Sequence, residues 1–455
     1  MTGPIACAIG FISMPEDERL RRFLAIHSRL RARFPQAERD IHGHPRIHLN
    51  CAAGTLTVDT AARAMAEAST WLNSLPGDIH PAEITTREFH WRIREIVSDF
   101  VNARSPEEIS FHFSSTQALF NLAVSLRGQF VAQRNVIVTD LDHMANITPW
   151  EFVGGKWRRS EVRRARIQEP GLLDLDHLLS LVDENTALVA LTLASNGIGT
   201  LVPLEQLVPA IRARAPSCLI CVDAVHHALH GPIDVRKLDC DFLVFSGYKV
   251  FGPMLGVLWG RKEVLARMRP YRVETHRDML PYKYEQGTLN NAALASLGAA
   301  LQYLLWLDQE LHPADCGEPM SRRQRFERVM SDIRSYEEEI SRRILERLGQ
   351  LDQDWFYLYG VQEPSLVSER DPTFALDIQG MEPAEMKKLF WERYGIQVAD
   401  GNHYAAIFYR HYRRPSVCRA SFAHYNSLEE VGTFLEAIDD FIGSGIKNGE
   451  ARGAP

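Results

Sequence analysis

The chain has 455 residues, 45% of them hydrophobic and 24% charged, the mix of an ordinary folded protein with room for a large core and two unequal domains. Its 51 Lys and Arg against 58 Asp and Glu leave a net charge of −7 with no basic block, which argues against nucleic-acid binding, and no apolar run approaches the ~20 residues of a membrane span. Seven scattered cysteines (Cys7, Cys51, Cys218, Cys221, Cys240, Cys316 and Cys418), with no basic n-region in Met1–Met14, lead us to expect a reduced cytoplasmic protein.

Residues 15–35 place Leu20, Phe23, Leu24, Ile26, Leu30 and Phe34 at helical spacing among charges and predict an amphipathic helix. A second helix is predicted from Val58 to Leu75, ended by Pro76-Gly77 and followed by a loop to about Arg87. Such loops often carry binding groups, so His80 is a substrate-contact candidate, with a solvated histidine as the alternative. Glu108–Phe113 alternates as a strand, and Ser114-Ser115-Thr116-Gln117 then opens a helix. Hydroxyls and free amides at that point suit either a phosphate or a plain N-cap. Further strands are predicted at Asn135–Thr139, leading to His143, and at Ala187–Leu193, ending in the turn Ser195-Asn196-Gly197-Ile198-Gly199. No strand-linked dinucleotide or nucleoside-triphosphate glycine motif occurs.

Two strand ends carry the main chemical signal. Cys218-Leu-Ile-Cys-Val-Asp223 reads as a buried strand delivering a carboxylate, with its two cysteines on opposite faces. Asp241–Phe245 reads as another, delivering Ser246-Gly247-Tyr248-Lys249 before the Gly252-Pro253 turn. A lone buried ammonium is costly unless the amine is neutral or covalently used, so Lys249 is a candidate imine-forming lysine. An acid and a lysine from neighbouring strands are what pyridoxal 5'-phosphate requires, and beside them the phosphate reading of Ser115 and Thr116 gains over the N-cap. His226, His227 and His230 have metal-compatible spacing but no HExxH glutamate, and no metal is expected.

Val257–Arg261 predicts one more strand, followed by a helix and the loop Glu285–Asn290. The stripe Phe326, Val329, Ile333, Tyr336, Ile340, Ile344 and Leu348 predicts a long helix from Ser321. Strands at Phe356–Tyr359, Phe374–Ile378 and Val417–Phe422 then alternate with helices at Pro383–Tyr394 and Leu428–Ile442, the last opened by a Ser427/Glu430 capping box. The alternation predicts an α/β large domain with a mostly parallel sheet and a smaller α+β C-terminal domain.

The run Val222-Asp223-Ala224-Val225-His226 with Ser246-Gly247-Tyr248-Lys249 resembles the class V aminotransferase and cysteine desulfurase superfamily, from about Arg46 to about Ile442. Within it the chain is most similar to a cysteine-desulfurase-like subgroup reading Asp-Ala-Val-His and Tyr-Lys. The resemblance implies an aspartate-aminotransferase-like fold (fold type I) with a seven-stranded sheet in residues 46–315 and a small domain in 316–455; the N-terminal helical segment, 1–45, is expected to pack on the small domain. It implies that His143 stacks on the cofactor ring and moves protons at the substrate carbons, that Asn196 meets the cofactor hydroxyl and the substrate carboxylate region, and that His226 meets the ring oxygen. Ser115, Thr116, Ser246 and Tyr248 would line the cofactor, and Thr288 would reach the phosphate of a neighbouring subunit, making a homodimer with shared sites. Asn50 takes the place of an acid usual beside the cofactor, and Arg419 would grip a substrate α-carboxylate in a two-pronged pair.

The informative departure is Asp400-Gly401-Asn402-His403-Tyr404-Ala405, where desulfurases of the nearest branch place a persulfide-forming cysteine and this chain has Tyr404. Cys418 adjoins Arg419 on a strand and should face away from it. The expected enzyme therefore acts at the α-carbon of an amino acid, first as a C–S or related β-lyase, alternatively as an epimerase, a cyclase or an aminotransferase. A non-catalytic binder on the same fold would have no need of Asp223, Lys249, His143 and Arg419 together.

Overall fold

The computed structural model describes residues 16–452 except 158, 314–318 and 353, so Met1–Met14, Cys316 and the expected domain boundary at 315/316 lie outside the described residues. Seven strands build the central sheet: β1 (Ile109–His112), β2 (Asn135–Thr139), β3 (Glu161–Ala165), β4 (Thr186–Thr192), β5 (Leu219–Asp223), β6 (Phe242–Ser246) and β7 (Gly256–Gly260). Their spatial order is β1-β7-β6-β5-β4-β2-β3, and only the two pairs made by β7 are antiparallel. Strands apolar on both faces must lie between two covering layers, and every residue of β2, β4, β6 and β7 is buried. The edge strand β3 differs, with Glu161 exposed and Arg163 and Arg164 half-buried, which blunts the open edge. Cys218 and Cys221, both buried, fall into separate apolar clusters, as strand alternation requires.

Around this sheet and its smaller companion lie the main helices α1 (Glu16–Arg31), α2 (Asp59–Trp71), α3 (Pro81–Val101), α4 (Ser115–Ser125), α5 (Asn291–Leu311), α6 (Arg322–Leu348), α7 (Pro383–Tyr394) and α8 (Leu428–Arg452). The expected loop to Arg87 is instead the first turns of α3. Pro81 sits where a missing N–H is harmless, and Glu83 accepts from the amides of Ile79 (3.0 Å) and His80 (3.5 Å). The long linking helix starts as the sequence predicts, with Ser321 and Gln324 capping each other and the whole apolar stripe from Phe326 to Leu348 buried.

Parallel strands send their C-terminal ends to one edge. Thr192 lies beside Asp223 and Asp223 beside Val244, so the segments after β2, β4, β5 and β6 emerge together, where ligands bind in open α/β sheets. Antiparallel β7 brings Gly256 beside both Ser246 and His112. A Cβ there would lie 2.3 Å from the Ser114 backbone, so glycine is what lets α4 start against the sheet edge.

The second sheet is antiparallel, with β8 (Phe356–Leu358), β9 (Thr373–Ile378), β10 (Ala399–Gly401) and β11 (Val417–Ser421) in the order β8-β9-β11-β10. Ile47–His48, in the stretch expected to open the large domain, runs parallel to Ile396–Gln397 in a separate two-stranded sheet, and Asn50 bridges to Ser421 of β11. Helix α1 touches both parts, with Phe23 stacked on Tyr336 at 4.4 Å, His27 on the carbonyls of His424 and Asn426, and Phe34 following it edge-on to Phe251 and Tyr303. Among the described residues no helix is long and apolar enough to cross a membrane.

Candidate active site

A cavity of about 1200 Å³ opens where the strand ends of the large sheet face β10 and β11. Asp223 closes β5 with its carboxylate accepting from the Val225 amide at 2.9 Å. Burial pushes this carboxyl up to about 6, against the pull of that amide and of Lys249. Lys249 ends the tight turn after β6, is buried, and donates to the carbonyl of Ala52. Burial, reinforced by the Arg419 charge, brings its amine down to about 7, so a large fraction is neutral at physiological pH. A second carboxyl, Asp142, lies fully buried and bonded to the Thr139 hydroxyl and to Asn146 (2.6 Å). Burial raises it to about 8, keeping it neutral beside Asp223.

The floor brings hydroxyls and the start of α4 together. The Ser115 hydroxyl reaches the Phe245 carbonyl and the Ser246 hydroxyl, both at 2.7 Å, which ties the first turn of α4 to the end of β6. Ser114 caps that helix through the Gln117 amide, and Thr116 lines the cavity from the same turn. Cap and phosphate site are thus compatible, because different residues serve them. His143 accepts the Ala145 amide at Nδ1 (3.0 Å), which leaves its proton on Nε2. Burial, then the charges of Lys249 and Arg419, bring it down to about 4. His143 is therefore a flat neutral ring whose only free edge is a donor.

The small sheet supplies the opposite wall. Arg419, buried on β11, donates to the Asn196 carbonyl at 2.7 Å and keeps its Nε without a partner. Asn196 in turn donates to the carbonyl of His403 at 2.7 Å, leaving its own side-chain oxygen unpaired. His403 and Tyr404 both take left-handed backbone conformations, with φ of 51° and 58°. The strained pair is pinned by the Tyr404 amide on Asn402 (3.0 Å) and the Met144 amide on the Tyr404 carbonyl (2.8 Å). Tyr404 stands at the mouth, 70% exposed, with its ring 5.3 Å from that of His143. No cysteine is among the described residues lining the cavity. Cys418 is buried away from it, its thiol pushed up by burial, while its neighbour Arg419 faces in.

Of the residues expected from sequence, Ser115, Thr116, His143, Asn196, Asp223, His226, Ser246, Tyr248, Lys249, Tyr404 and Arg419 line this one cavity. Three do not. His80 lies at the start of α3, with its ring 3.1 Å from Glu83. Asn50 turns the chain after β-pairing with Ser421, its side-chain oxygen buried without a partner. Thr288 lines a separate small hollow with Phe113 and Leu255. Sequence reasoning missed Ala52, Asp142, His403 and, behind His226, Asp371 and Thr373 at the entry to β9. Of these, only Asp142 carried a signal, as an acid closing a buried strand beside His143.

The donor set fits pyridoxal phosphate: a neutral-capable amine, a carboxylate at a neighbouring strand end, hydroxyls at a helix start, and buried unpaired atoms on Asn196, His226 and Arg419. Comparison with known proteins points the same way. The family model described as aminotransferase class-V matches residues 47–312 and 326–434. A protein named cysteine desulfurase from Pectobacterium atrosepticum is 32% identical over 91% of this chain and 98% of its own length, and one from Yersinia pseudotuberculosis is 30% identical with the same coverage. Among solved structures, the cysteine desulfurase CsdA of Escherichia coli aligns with a TM-score of 0.74 at 25% identity over 91% of this chain and 98% of that one. The apo cysteine desulfurase of Thermococcus onnurineus aligns at 0.77 and 24% over 88% and 95%, a likeness of fold.

Proposed function

Since the chain belongs to the class V aminotransferase family and is a pyridoxal-phosphate-dependent enzyme of fold type I, we propose that it eliminates a β-substituent, sulfur or a related group, from an amino-acid substrate without a persulfide cysteine. The observation that carries this reading is the cavity itself. It joins Lys249, Asp223 and Arg419, and puts Tyr404 rather than a thiol on the loop at its mouth.

Pyridoxal phosphate supplies, when bound, an aldehyde for an amino group and an electron-withdrawing ring. Lys249 would offer the amine that holds the aldehyde and, with that amine near neutrality, would be placed to act as a base toward the α-proton. Asp223, ionised above about 6, holds a proton on the ring nitrogen. Ser115, Thr116, Ser246 and the start of α4 bind the phosphate. Arg419 pairs with the substrate carboxylate, already aimed by Asn196. His143 stacks as a neutral ring, and its Nε2–H can donate but, with Nδ1 occupied, not accept. Tyr404 narrows the mouth over the leaving group.

Thr288 would serve the phosphate of a second copy, in a homodimer with shared sites. Supporting this, Thr288 lies outside its own chain's cavity, and Phe113, beside it in the same small hollow, is exposed. Sedimentation should give a particle of twice the chain mass of 51.7 kDa. Mixing Lys249→Ala with Thr288→Ala chains should restore part of the activity each lacks alone.

A second reading, desulfuration by a persulfide, has in its favour the names of relatives matched over 98% of their length. The product assay separates the two. With cysteine or cystine, elimination and hydrolysis release pyruvate and ammonia, whereas persulfide chemistry releases alanine and leaves sulfur on the protein. Alanine as the main product would overturn the elimination reading.

A further inference from the structure

Behind His226 lies a buried polar cluster that the mechanism above does not use. His227 pairs with Asp371 at 3.0 Å and His230 with Glu337 at 2.8 Å. His226 has one hydrogen-bonding contact among the described residues, its Nε2 lying 3.2 Å from the hydroxyl of Thr373, and its Nδ1 is buried without a partner although the residue lines the cofactor cavity. Thr373, the first residue of β9, is fully buried, and among the described residues its hydroxyl has no other partner.

We propose that Thr373 is a positioning residue that fixes the tautomer of His226, so that the Nδ1 proton is presented to the ring oxygen of the bound cofactor; this rests on the pyridoxal-phosphate reading with His226 at that oxygen. The argument is one of proton accounting. A buried hydroxyl hydrogen must find an acceptor, and the atom in reach among the described residues is the imidazole Nε2. Once Nε2 accepts, a neutral imidazole carries its proton on Nδ1. The ring is kept neutral by burial and by the positive groups facing it, His230 from its own segment, Lys249 from the turn after β6 and Arg419 from β11, with Asp371 the one opposing charge. Burial works against charge on His230, but Glu337 and Asp371 outweigh it and hold that ring protonated.

The hydroxyl is held in place by the rest of its segment. The guanidinium of Arg370, fully buried, donates to the carbonyls of Val361, Ile198 (3.3 Å) and Thr373 (2.5 Å). The Asp371 amide donates to Gly199 at 2.9 Å. Gly199 has φ of +80°, and a Cβ on it would sit 2.5 Å from the Asp371 carbonyl, so segment 370–373 packs directly on the turn that carries Asn196. A small-domain residue thus sets a proton position in the large domain's site.

The test is a pH titration of the visible absorbance of protein loaded with pyridoxal phosphate, in wild type, Thr373→Val and Thr373→Ser. A donor at the ring oxygen favours the form in which that oxygen holds more negative charge, the deprotonated one. Its loss in Thr373→Val should therefore move the spectral pKa up by roughly half to one pH unit, the scale of one hydrogen bond, and serine should restore it. A folded Thr373→Val protein with an unshifted titration overturns the proposal while leaving the cofactor reading intact, and the absence of any visible band overturns that reading instead. If Thr373→Val does not fold, nitrogen chemical shifts of labelled wild-type histidines still decide. The resonance lost in His226→Gln should report a protonated Nδ1, and a protonated Nε2 overturns the proposal.

Discussion

The two sheets contribute to one cavity by opposite means. The seven-stranded sheet delivers Asp223 and Lys249 from the ends of buried parallel strands, where neighbours fix both position and protonation. The four-stranded sheet delivers Arg419 from mid-strand and Tyr404 from a loop whose two strained residues are held by hydrogen bonds to Asn196, Asn402 and Met144. The lesson is a division of labour. The rigid wall carries what any reaction of this cofactor needs, and on the elimination reading proposed above the other wall would set which substrate sits there and which bond faces the mouth.

Removing the amine should show the largest effect, because the rigid wall has no substitute for it. Lys249→Ala should lose the visible band given by wild type with pyridoxal phosphate, and turnover should fall by ~10²–10⁴ or more, the range of a positioned base alone. Measured by absorbance and pyruvate release, retention of both would break the comparison at its root. On the opposite wall, Arg419→Lys should keep the band but lose kcat/KM by about 10²-fold, since an ammonium cannot make the two-pronged pair and removing such a partner costs a few kcal/mol. Steady-state kinetics with an amino acid and its amide should show the loss only for the acid.

Protonation sharpens the same contrast. The Lys249 amine stands near 7, so it is mostly charged below that pH and mostly neutral above it. The rate at which the apoprotein takes up pyridoxal phosphate should rise about tenfold per pH unit below 7 and level off by about 8. An ordinary lysine would keep rising toward ~10.4. Stopped-flow absorbance between pH 5.5 and 10 reads the difference.

What was legible in the sequence follows this division. Asp223, Lys249 and His143 stand out because each follows an apolar run, a local pattern. The fold class was legible for the same reason, down to the helix start at Ser321 and the Ser427 cap. What was hidden depends on contacts distant in sequence. Thr373 meets His226 across 147 positions, and Ile47–His48 joins Ile396–Gln397, so neither leaves a local trace. The start of α3 was a different failure, since Pro81 and Glu83 are a helix-opening pattern read as a loop.

The smallest effect is the most discriminating. Two consecutive non-glycine residues in the left-handed region cost ~1–2 kcal/mol each, yet the loop keeps them. Replacing Tyr404 with glycine removes one such cost and adds back the greater flexibility of glycine in the unfolded chain, ~0.5–1 kcal/mol. Tyr404→Gly should thus be as stable as wild type or up to about 1.5 kcal/mol more stable in urea unfolding. The ring lies 5.3 Å from His143 and 70% exposed, so little packing is lost with it. If Tyr404 directs the reaction, the same variant should keep the cofactor band and its affinity while product release falls or shifts from pyruvate to another product. Unchanged stability with unchanged products would mean that the strain serves only to carry the chain from β10 past Met144, and the choice of reaction would have to be sought at Arg419 and His403 instead.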